Sequence, residues 1–420
     1  MSALSSPIAS FVQSSGPSTR GVPSEISEEV VKRVLGHFSV SGDVVGMEHG
    51  PTVTVVRFKP DTYTAVSKLK ARERDIAFYL RSPTVRITYD NRTGLICLEV
   101  PNLERGRVSL ASLLASPRSN EPLMIPAGVS VTNTPVWYSL ATMPHLLVAG
   151  ATGSGKSVFL NAVIASLAAQ YTPAEVQLIL VDPKRVEFNV FEGLPHLGYG
   201  KVIYDSDETV QMLTDLEQLM RDRYELLSTH SDRNISEYLL RSGHTLPYVV
   251  LIIDELADLF GNSPAAQELI IRLGQLGRAA GIHMVLATQR PSHDIISGRL
   301  KANFPARAAF RVSTAIDSRV VMDQSGAELL LGRGDAIIKV PGFDDQRVTA
   351  CFVDHSEVKP VVDWWQAQGT FPEASLFAEK LVPEQPKVDI FVSLESIIRL
   401  PNHLQERMLG LEERGVIKIT

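Results

Sequence analysis

The sequence predicts an α/β fold in which a mostly parallel sheet, covered by helices on both faces, follows a small α+β domain. From about residue 120, apolar runs of five or six residues alternate with longer stretches that have helical spacing. These runs are apolar almost throughout, which is typical of parallel strands that are buried on both faces. Between residues 40 and 115, apolar and polar residues alternate instead, which is typical of half-buried strands. The two patterns therefore predict two domains of different kinds.

Length and composition indicate a soluble globular protein. The chain has 420 residues, of which 44% are hydrophobic and 21% charged, and this length predicts more than one domain. No apolar run approaches the ~18 residues of a membrane span and the N-terminus has no secretion signal, so we expect a cytoplasmic protein without a membrane segment. The net charge of -6 argues against a surface that is positive throughout, but not against a local basic channel. Two cysteines, Cys97 and Cys351, lack metal-binding spacing, and we expect both to be buried.

The first 118 residues are predicted to contain a flexible leader and the small domain. Residues 1–25 contain eight serines with interspersed proline and glycine, which favours a leader without packed structure. Within the domain at 26–118, Ser27 is the predicted N-cap of a helix that ends at about His37. The periodicity then predicts strands at 51–58, 84–88 and 95–100 and a helix at 65–80.

The larger domain is predicted at 119–370. Its strands are expected at 145–149, 176–181, 248–253, 282–287, 307–312 and 335–340, and its long helices at 206–228 and 264–280. A further helix is expected to contain Trp364 and Trp365. Residues 371–420 are expected to form a linker broken by prolines and a short tail.

One motif between a predicted strand and a predicted helix indicates a nucleotide site. Residues 150–157 have the G-x-x-x-x-G-K-S pattern in its required context. Glycines allow successive backbone N–H groups to turn toward a triphosphate, and the N-terminus of the following helix adds positive potential. Lys156 is expected to contact the β- and γ-phosphates of ATP, and the Ser157 hydroxyl to hold Mg²⁺. The predicted nucleotide-binding residues are Gly150, Ala151, Thr152, Gly153, Ser154, Gly155, Lys156, Ser157 and Val158.

A pair of carboxylates follows another predicted buried strand. Asp254 and Glu255 come directly after the apolar run 248–253, at the end of a strand where open α/β sheets bind their ligands. Asp254 is expected to hold Mg²⁺, and Glu255 to orient and polarise the attacking water as the base of hydrolysis. By itself an apolar run before Asp-Glu more often leads into a capped helix. About one hundred residues after a phosphate-binding loop, it predicts an ATPase.

Two further polar positions have more than one interpretation. Thr288 and Gln289 follow the run 282–287, where a neutral side chain can sense the γ-phosphate, although Pro291 also favours an ordinary turn. Arg278 lies at a predicted helix end without an acidic neighbour within one turn. It either caps carbonyl groups or acts as an arginine finger on the ATP of a neighbouring subunit.

Several short segments occur in a fixed order along the chain, at 145–157, 181–184, 192–197, 254–258, 278–292, 301–303, 316–319 and 331–335. Taken together, these segments resemble the motor domain of the FtsK/SpoIIIE family of double-stranded DNA translocases. The resemblance extends from about residue 40 to 368 and is weaker before 120, where the chain is similar to the small α domain of that family.

The resemblance implies a RecA-like P-loop NTPase that assembles as a homohexameric ring around double-stranded DNA, with ATP bound between subunits. It implies that Arg278 is the finger that acts in trans. It also implies that Arg290, Lys301 and Arg319 lie in channel loops and contact DNA phosphates, although each also fits an ordinary solvated or ion-paired basic residue.

The chain departs from the family pattern at three places. Ala315 stands where relatives commonly have Lys, so one expected basic contact is missing. The membrane helices of cellular members are not expected here. The last 35 residues are too few for the winged-helix module that reads orienting DNA sequences, and we interpret the tail as a remnant or an oligomer contact.

Two other functions fit the same motifs. Related type VII motors energise protein secretion and bind peptides, but they usually carry several ATPase modules, and this sequence contains one. A conjugative coupling protein or helicase would instead act on single-stranded DNA. The sequence by itself does not distinguish the cellular process or the direction of movement.

Overall fold

The computed structural model describes residues 18–19, 21–23, 26–61, 66–90, 92–243, 246–368, 391–392 and 418–419. The chain divides into two compact units, Met1–Leu376 and Phe377–Thr420. In the second unit, the described residues form two short parallel strands, Phe391–Val392 and Lys418–Ile419. The predicted linker and the helix-like stretch at 401–414 lie outside the described residues.

The first part of the larger unit is a four-stranded antiparallel sheet with helices on one face. Its strand order is β1-β2-β4-β3. Helix α1 begins after Ser27, whose side chain accepts a hydrogen bond from the Val30 N–H, so the predicted cap is confirmed. The elements are α1 Glu28–His37, β1 Gly42–His49, β2 Val53–Pro60, α2 Val66–Lys70, α3 Glu73–Tyr79, β3 Arg86–Asp90 and β4 Leu95–Pro101. The next helix, α4 Leu110–Leu114, packs in the core of the larger sheet.

A nine-stranded mixed sheet forms the rest of this unit and confirms the predicted α/β class. Its strand order is β6-β5-β13-β12-β11-β7-β10-β9-β8. The five strands from β11 to β8 are parallel, and the remaining pairs are antiparallel. The strands are β5 Met124–Ser130, β6 Pro135–Ser139, β7 His145–Ala149, β8 Val176–Val181, β9 Tyr248–Ile253, β10 Ile282–Thr288, β11 Ala306–Phe310, β12 Asp335–Lys339 and β13 Gln346–Thr349.

Helices cover this sheet, and its parallel strands are buried almost throughout, as expected when both faces are covered. Twelve of the fifteen residues of the helix that follows β7 are also buried, so this helix lies in the core. The helices are α5 Lys156–Gln170, α6 Ser206–His230, α7 Ile235–Ser242, α8 Leu256–Asn262, α9 Pro264–Leu276, α10 Gly298–Asn303, α11 Ala315–Met322 and α12 His355–Ala367.

Several predicted elements differ from the structure. Helix α9 ends at Leu276 rather than at residue 280, and Gly281, with a φ of 70°, allows the chain to turn into β10. The single helix predicted at 65–80 is two short helices, α2 and α3. Strands β1, β5, β6 and β13 were not predicted, since their sequences lack a clean apolar run or contain proline and glycine.

The expectation that both cysteines are buried is wrong in part. Cys97 is only half-buried, because its position on β4 faces away from the helices, whereas Cys351 is buried as expected. Part of the predicted flexible leader is held in place: Val22 N–H donates to Glu104 O at 2.9 Å, and Thr19 N–H donates to Arg107 O at 2.8 Å. Thr19 and Val22 are thus hydrogen-bonded to the part of the chain that follows β4.

None of the helices in the described part of the chain combines the length and the apolarity that crossing a bilayer requires.

We expect Trp365 to be a principal stabilising residue of the larger unit. Its side chain is 5% exposed, and its indole N–H donates to Ala168 O at 2.8 Å on α5. Trp365→Ala should lower the free energy of unfolding by about 3–5 kcal/mol, since it leaves a cavity and an unpaired carbonyl. Trp364→Ala, the matched control, should lower it by about 1–2 kcal/mol because that ring is only partly buried. Urea unfolding followed by circular dichroism measures both, and equal losses would contradict the assignment.

Candidate active site

The loop of residues 150–155 joins the carboxyl end of β7 to the N-terminus of α5. Gly153 and Gly155 have φ angles of 75° and 107°, which residues with side chains rarely adopt. Gly155 directly precedes Lys156, the first residue of α5. The chain therefore turns sharply into the helix, and the N–H groups of the first turn of α5 face the loop. This backbone conformation suits a loop that binds phosphate groups.

Lys156 and Asp254 form a buried ion pair beside this loop. Lys156 Nζ lies 2.7 Å from Asp254 Oδ1 and 2.6 Å from the Asp254 carbonyl oxygen. The side chains are 3% and 0% exposed. Parallel pairing of β7, β10 and β9 brings the two residues together, although they are 98 positions apart.

The structure contains suitable oxygen donors for the predicted Mg²⁺. Asp254 Oδ2 is buried and has no hydrogen-bond partner among the described residues. The hydroxyl-bearing Ser157 is half-buried in the first turn of α5. Carboxylate and hydroxyl oxygens are the ligands that Mg²⁺ prefers, so Ser157 and Asp254 fit the metal.

Glu255 is buried at the carboxyl end of β9 and accepts several hydrogen bonds. Its Oε1 accepts from Thr288 Oγ1 at 2.6 Å, and its Oε2 accepts from the Gln289 N–H at 3.0 Å. Oε1 also accepts from the Ala257 N–H, so Glu255 is the N-cap of α8. The interpretation as a helix cap is therefore confirmed, and the same carboxylate also lies at the end of β10.

Gln289 connects Glu255 to the phosphate-binding loop. Its Oε1 accepts a hydrogen bond from Thr152 Oγ1 at 2.8 Å, while its backbone N–H donates to Glu255. One residue thus contacts both the loop and the proposed base. Gln289 can therefore transmit a change at the loop to Glu255.

Sequence reasoning assigned no role to two groups that contact these residues. Lys184 Nζ lies 3.5 Å from Glu255 Oε2 and 3.6 Å from Asp258 Oδ2. Residues 331–334 lie against the loop itself, where the Gly334 N–H donates to Ser154 O at 2.8 Å. The two glycines at 332 and 334 were a signal for such a close backbone approach, whereas Lys184 had no comparable signal.

Arg278 lies at the opposite edge of the sheet, in the turn that leads to β10. It is exposed there. Burial, with a contribution from the charge of Arg278, lowers the pKa of His283, the second residue of β10, to about 4. The loop of residues 150–155 follows the opposite, carboxyl end of β7. Because β7 has five residues, Arg278 and the loop of its own chain are separated by about the length of this strand, roughly 17 Å.

The three predicted DNA-binding residues lie on three different segments of the chain. Arg290 is exposed two residues beyond the carboxyl end of β10, and Arg319 is exposed on α11. Lys301 is only 20% exposed, and its Nζ lies 2.9 Å from Asp323 Oδ1. Asp323 also pairs with Arg307 near the amino end of β11. Lys301 is therefore ion-paired, which was one of the two interpretations of this residue, and a contact with DNA stays a prediction.

The fold and the site together define a P-loop ATPase. The model of the FtsK/SpoIIIE family matches residues 115–293, and the model of the FtsK alpha domain matches residues 14–102. The chain belongs to the FtsK/SpoIIIE family.

Curated relatives match most of this chain. It is 40% identical over 371 residues to DNA translocase SpoIIIE of Bacillus subtilis, which covers 84% of this chain and 46% of the relative. It is 37% identical over 344 residues to DNA translocase FtsK of Helicobacter pylori, which covers 80% of this chain and 41% of the relative. The chain thus spans less than half the length of these relatives.

Solved structures show the same fold. The conjugation coupling protein TcpA of pCW3 in its monomer form superposes with a TM-score of 0.57 at 21% identity, covering 81% of this chain and 99% of that chain. The cytoplasmic domain of the type VII secretion ATPase EccC from Thermomonospora curvata superposes with a TM-score of 0.56 at 27% identity, covering 64% of this chain and 35% of that chain.

We expect Lys156 and Glu255 to have separable effects. Lys156→Ala should abolish ATP binding or turnover, because it removes the cation that is to contact the phosphates. Glu255→Gln should leave binding within a few fold of wild type and stop hydrolysis, because the amide cannot take a proton. Equilibrium binding of a fluorescent ATP analogue and a steady-state phosphate-release assay measure the two effects. Turnover of the Glu255→Gln protein within a few fold of wild type would refute the role of this base.

Proposed function

We propose that this chain is the motor part of an ATP-driven translocase that moves double-stranded DNA through a homohexameric ring. The observation that carries the proposal is the 40% identity to a DNA translocase over 371 residues. This aligned length is greater than the length that either family model matches. Because ATP is its fuel, we propose that this part of the protein works in the cytoplasm.

In the proposed reaction, the loop of residues 150–155 and Lys156 hold the triphosphate, and Ser157 and Asp254 hold Mg²⁺. The metal neutralises charge on the β- and γ-phosphates when it is bound. Glu255 orients a water molecule and takes its proton as the oxygen attacks the γ-phosphorus, and the bond to the β-γ bridging oxygen breaks. Gln289 senses whether the γ-phosphate is present through its link to Thr152.

We propose that Arg278 completes the site of a neighbouring subunit. It is exposed at the edge of the sheet opposite its own phosphate-binding loop. A head-to-tail arrangement would bring the Arg278 edge of one subunit to the loop edge of the next, and such an arrangement can close into a ring. The guanidinium would then stabilise charge on the transferred phosphoryl group.

We propose that Arg290 and Arg319 contact DNA phosphates, and that Lys301 does so only if it leaves Asp323. The first two are exposed, which is what contact with a sequence-independent backbone requires. Lys301 must exchange one negative partner for another, so its net contribution should be smaller.

Arg278→Ala should behave as an interface mutant. It should bind ATP but fail to hydrolyse it, and mixing it with Lys156→Ala subunits should restore part of the activity, because each variant impairs a different half of a shared site. Phosphate release from mixed assemblies at varied subunit ratios measures this. If assemblies proven to be mixed show no recovery, Arg278 acts within its own chain.

The DNA proposal predicts that duplex DNA stimulates ATP hydrolysis more than single-stranded DNA or peptide does. Replacing Arg290 and Arg319 by Gln should remove most of this stimulation and flatten the dependence of duplex affinity on salt, while Lys301→Gln should change both less. Ala315→Lys should tighten binding by about 1 kcal/mol at most, since an exposed charge gains little against water and salt.

Duplex affinity across a salt series and stimulated turnover measure these effects, and ATP affinity without DNA is the control. Stimulation by peptide instead of duplex would favour a secretion motor, and stimulation by single strands would favour a coupling protein or helicase. A wild-type salt slope in the Arg290→Gln/Arg319→Gln protein would remove both residues from the DNA-binding surface.

A further inference from the structure

Residues 331–334, here called the 331–334 loop, bind the phosphate-binding loop through backbone hydrogen bonds. The Gly334 N–H donates to Ser154 O at 2.8 Å, and the Arg333 N–H donates to Gly153 O at 3.4 Å. The two segments are so close that a Cβ atom on Gly155 would stand 2.4 Å from Gly334 N.

This contact sets the direction of a phosphate-binding amide. In a trans peptide, the C=O and the following N–H point to opposite sides. Because Gly334 binds the carbonyl of Ser154, the N–H of Gly155 must point away from the 331–334 loop. The 331–334 loop therefore determines which way that part of the phosphate-binding backbone faces.

Three buried charged residues hold the 331–334 loop in place. Asp335 Oδ2 accepts the Leu331 N–H at 2.7 Å. Arg347 donates to both carboxylate oxygens of Asp335, at 2.8 and 2.6 Å, and its third bond goes to Glu99 Oε2 at 2.7 Å. The side chains of Arg347, Asp335 and Glu99 are 4%, 0% and 6% exposed. Glu99 lies on β4 of the four-stranded sheet, so this sheet is joined to the 331–334 loop through one arginine.

Arg105, which follows β4, reaches the same loop directly. Its Nη1 donates to Leu331 O at 3.0 Å and to Gly332 O at 3.1 Å. Arg105 also lines a cavity of about 520 Å³ together with residues of both loops. Glu99 does not line this cavity.

We propose that Glu99 and Arg105 are positioning residues for ATP binding, through which the four-stranded sheet holds the 331–334 loop and thereby orients the phosphate-binding loop. The proposal rests on the proposed nucleotide site at residues 150–157. It explains why three ionised groups are kept buried at this junction, where desolvation makes an ion pair a weak source of stability. The bidentate arginine instead fixes the direction in which a backbone segment runs.

The deciding test compares Glu99→Gln with Arg86→Met in the full chain. Arg86 also binds Glu99, at 3.2 Å, but has no bond to Arg347, Asp335 or the 331–334 loop among the described residues, so it is the matched control for damage to the small sheet. Glu99→Gln should weaken binding of a fluorescent ATP analogue about fivefold or more, the lower end of coupling between protein sites. It should also speed hydrogen exchange of the amides in 331–335 and 150–157 without nucleotide. Arg86→Met should leave both within about twofold.

A second pair avoids the buried charges. Arg105→Ala should weaken ATP binding and speed exchange in 331–335, whereas Arg107→Ala, a neighbouring exposed arginine that packs over the Phe352 ring at 4.0 Å, should not. Arg105 borders the cavity and could contact a ligand directly. A loss of ATP affinity in the Arg105→Ala protein therefore supports the positioning role only if hydrogen exchange in 331–335 is also faster.

The outcomes separate this inference from the proposed function. If Glu99→Gln keeps wild-type ATP affinity and exchange, or only lowers the melting temperature, the positioning role is refuted, even where Lys156→Ala abolishes binding. If wild-type protein does not bind ATP, the proposed nucleotide site is refuted and the role in ATP binding with it. Faster exchange in the Glu99→Gln protein would then show only that Glu99 holds the loop.

Discussion

The parallel pairing of β7 with β10, and of β10 with β9, is the constraint on which the rest of the active site depends. The proposed site residues follow the carboxyl end of each strand, and parallel register places all of these ends at one edge of the sheet. Lys156 therefore meets Asp254, and Glu255 meets Thr288, although each pair is far apart in sequence. Such strands must be covered on both faces, which explains why α5 is an almost wholly buried helix. The groups proposed to act on ATP are thus carried on the ends of rigid elements.

The same pairing separates Arg278 from the loop of its own chain. A residue that precedes β10 and a loop that follows β7 must lie at opposite edges, because the two strands run in the same direction. One chain therefore carries two complementary parts of the proposed site on different faces. An assembly in which one edge meets the other would use both, and this connects the geometry of a single sheet to the proposed ring.

The antiparallel half of the large sheet has a different role, since it joins the small sheet to the nucleotide site. Arg347 on β13 lies diagonally opposite Asp335 on the neighbouring strand β12 and also binds Glu99 of the small sheet. The bidentate contact leaves little freedom in the chain between residues 331 and 335. Burial alone would disfavour these charges, so their mutual hydrogen bonds are essential. Under the proposal above, loss of the Glu99 bond to Arg347 would therefore also affect the phosphate-binding loop.

The sequence by itself determined the α/β class, the parallel strands and the residues of the phosphate-binding loop, because apolar runs and glycine spacing are local properties that survive in any tertiary context. It also singled out Asp254, Glu255 and Gln289, since polar residues at the ends of buried strands are visible in one dimension. Only the tertiary structure decided that Lys301 pairs with Asp323, that Lys184 faces Glu255, and that the 331–334 loop covers residues 153–155. These contacts join segments tens to hundreds of residues apart, and no local pattern of charge or glycine specifies which distant partner a side chain meets.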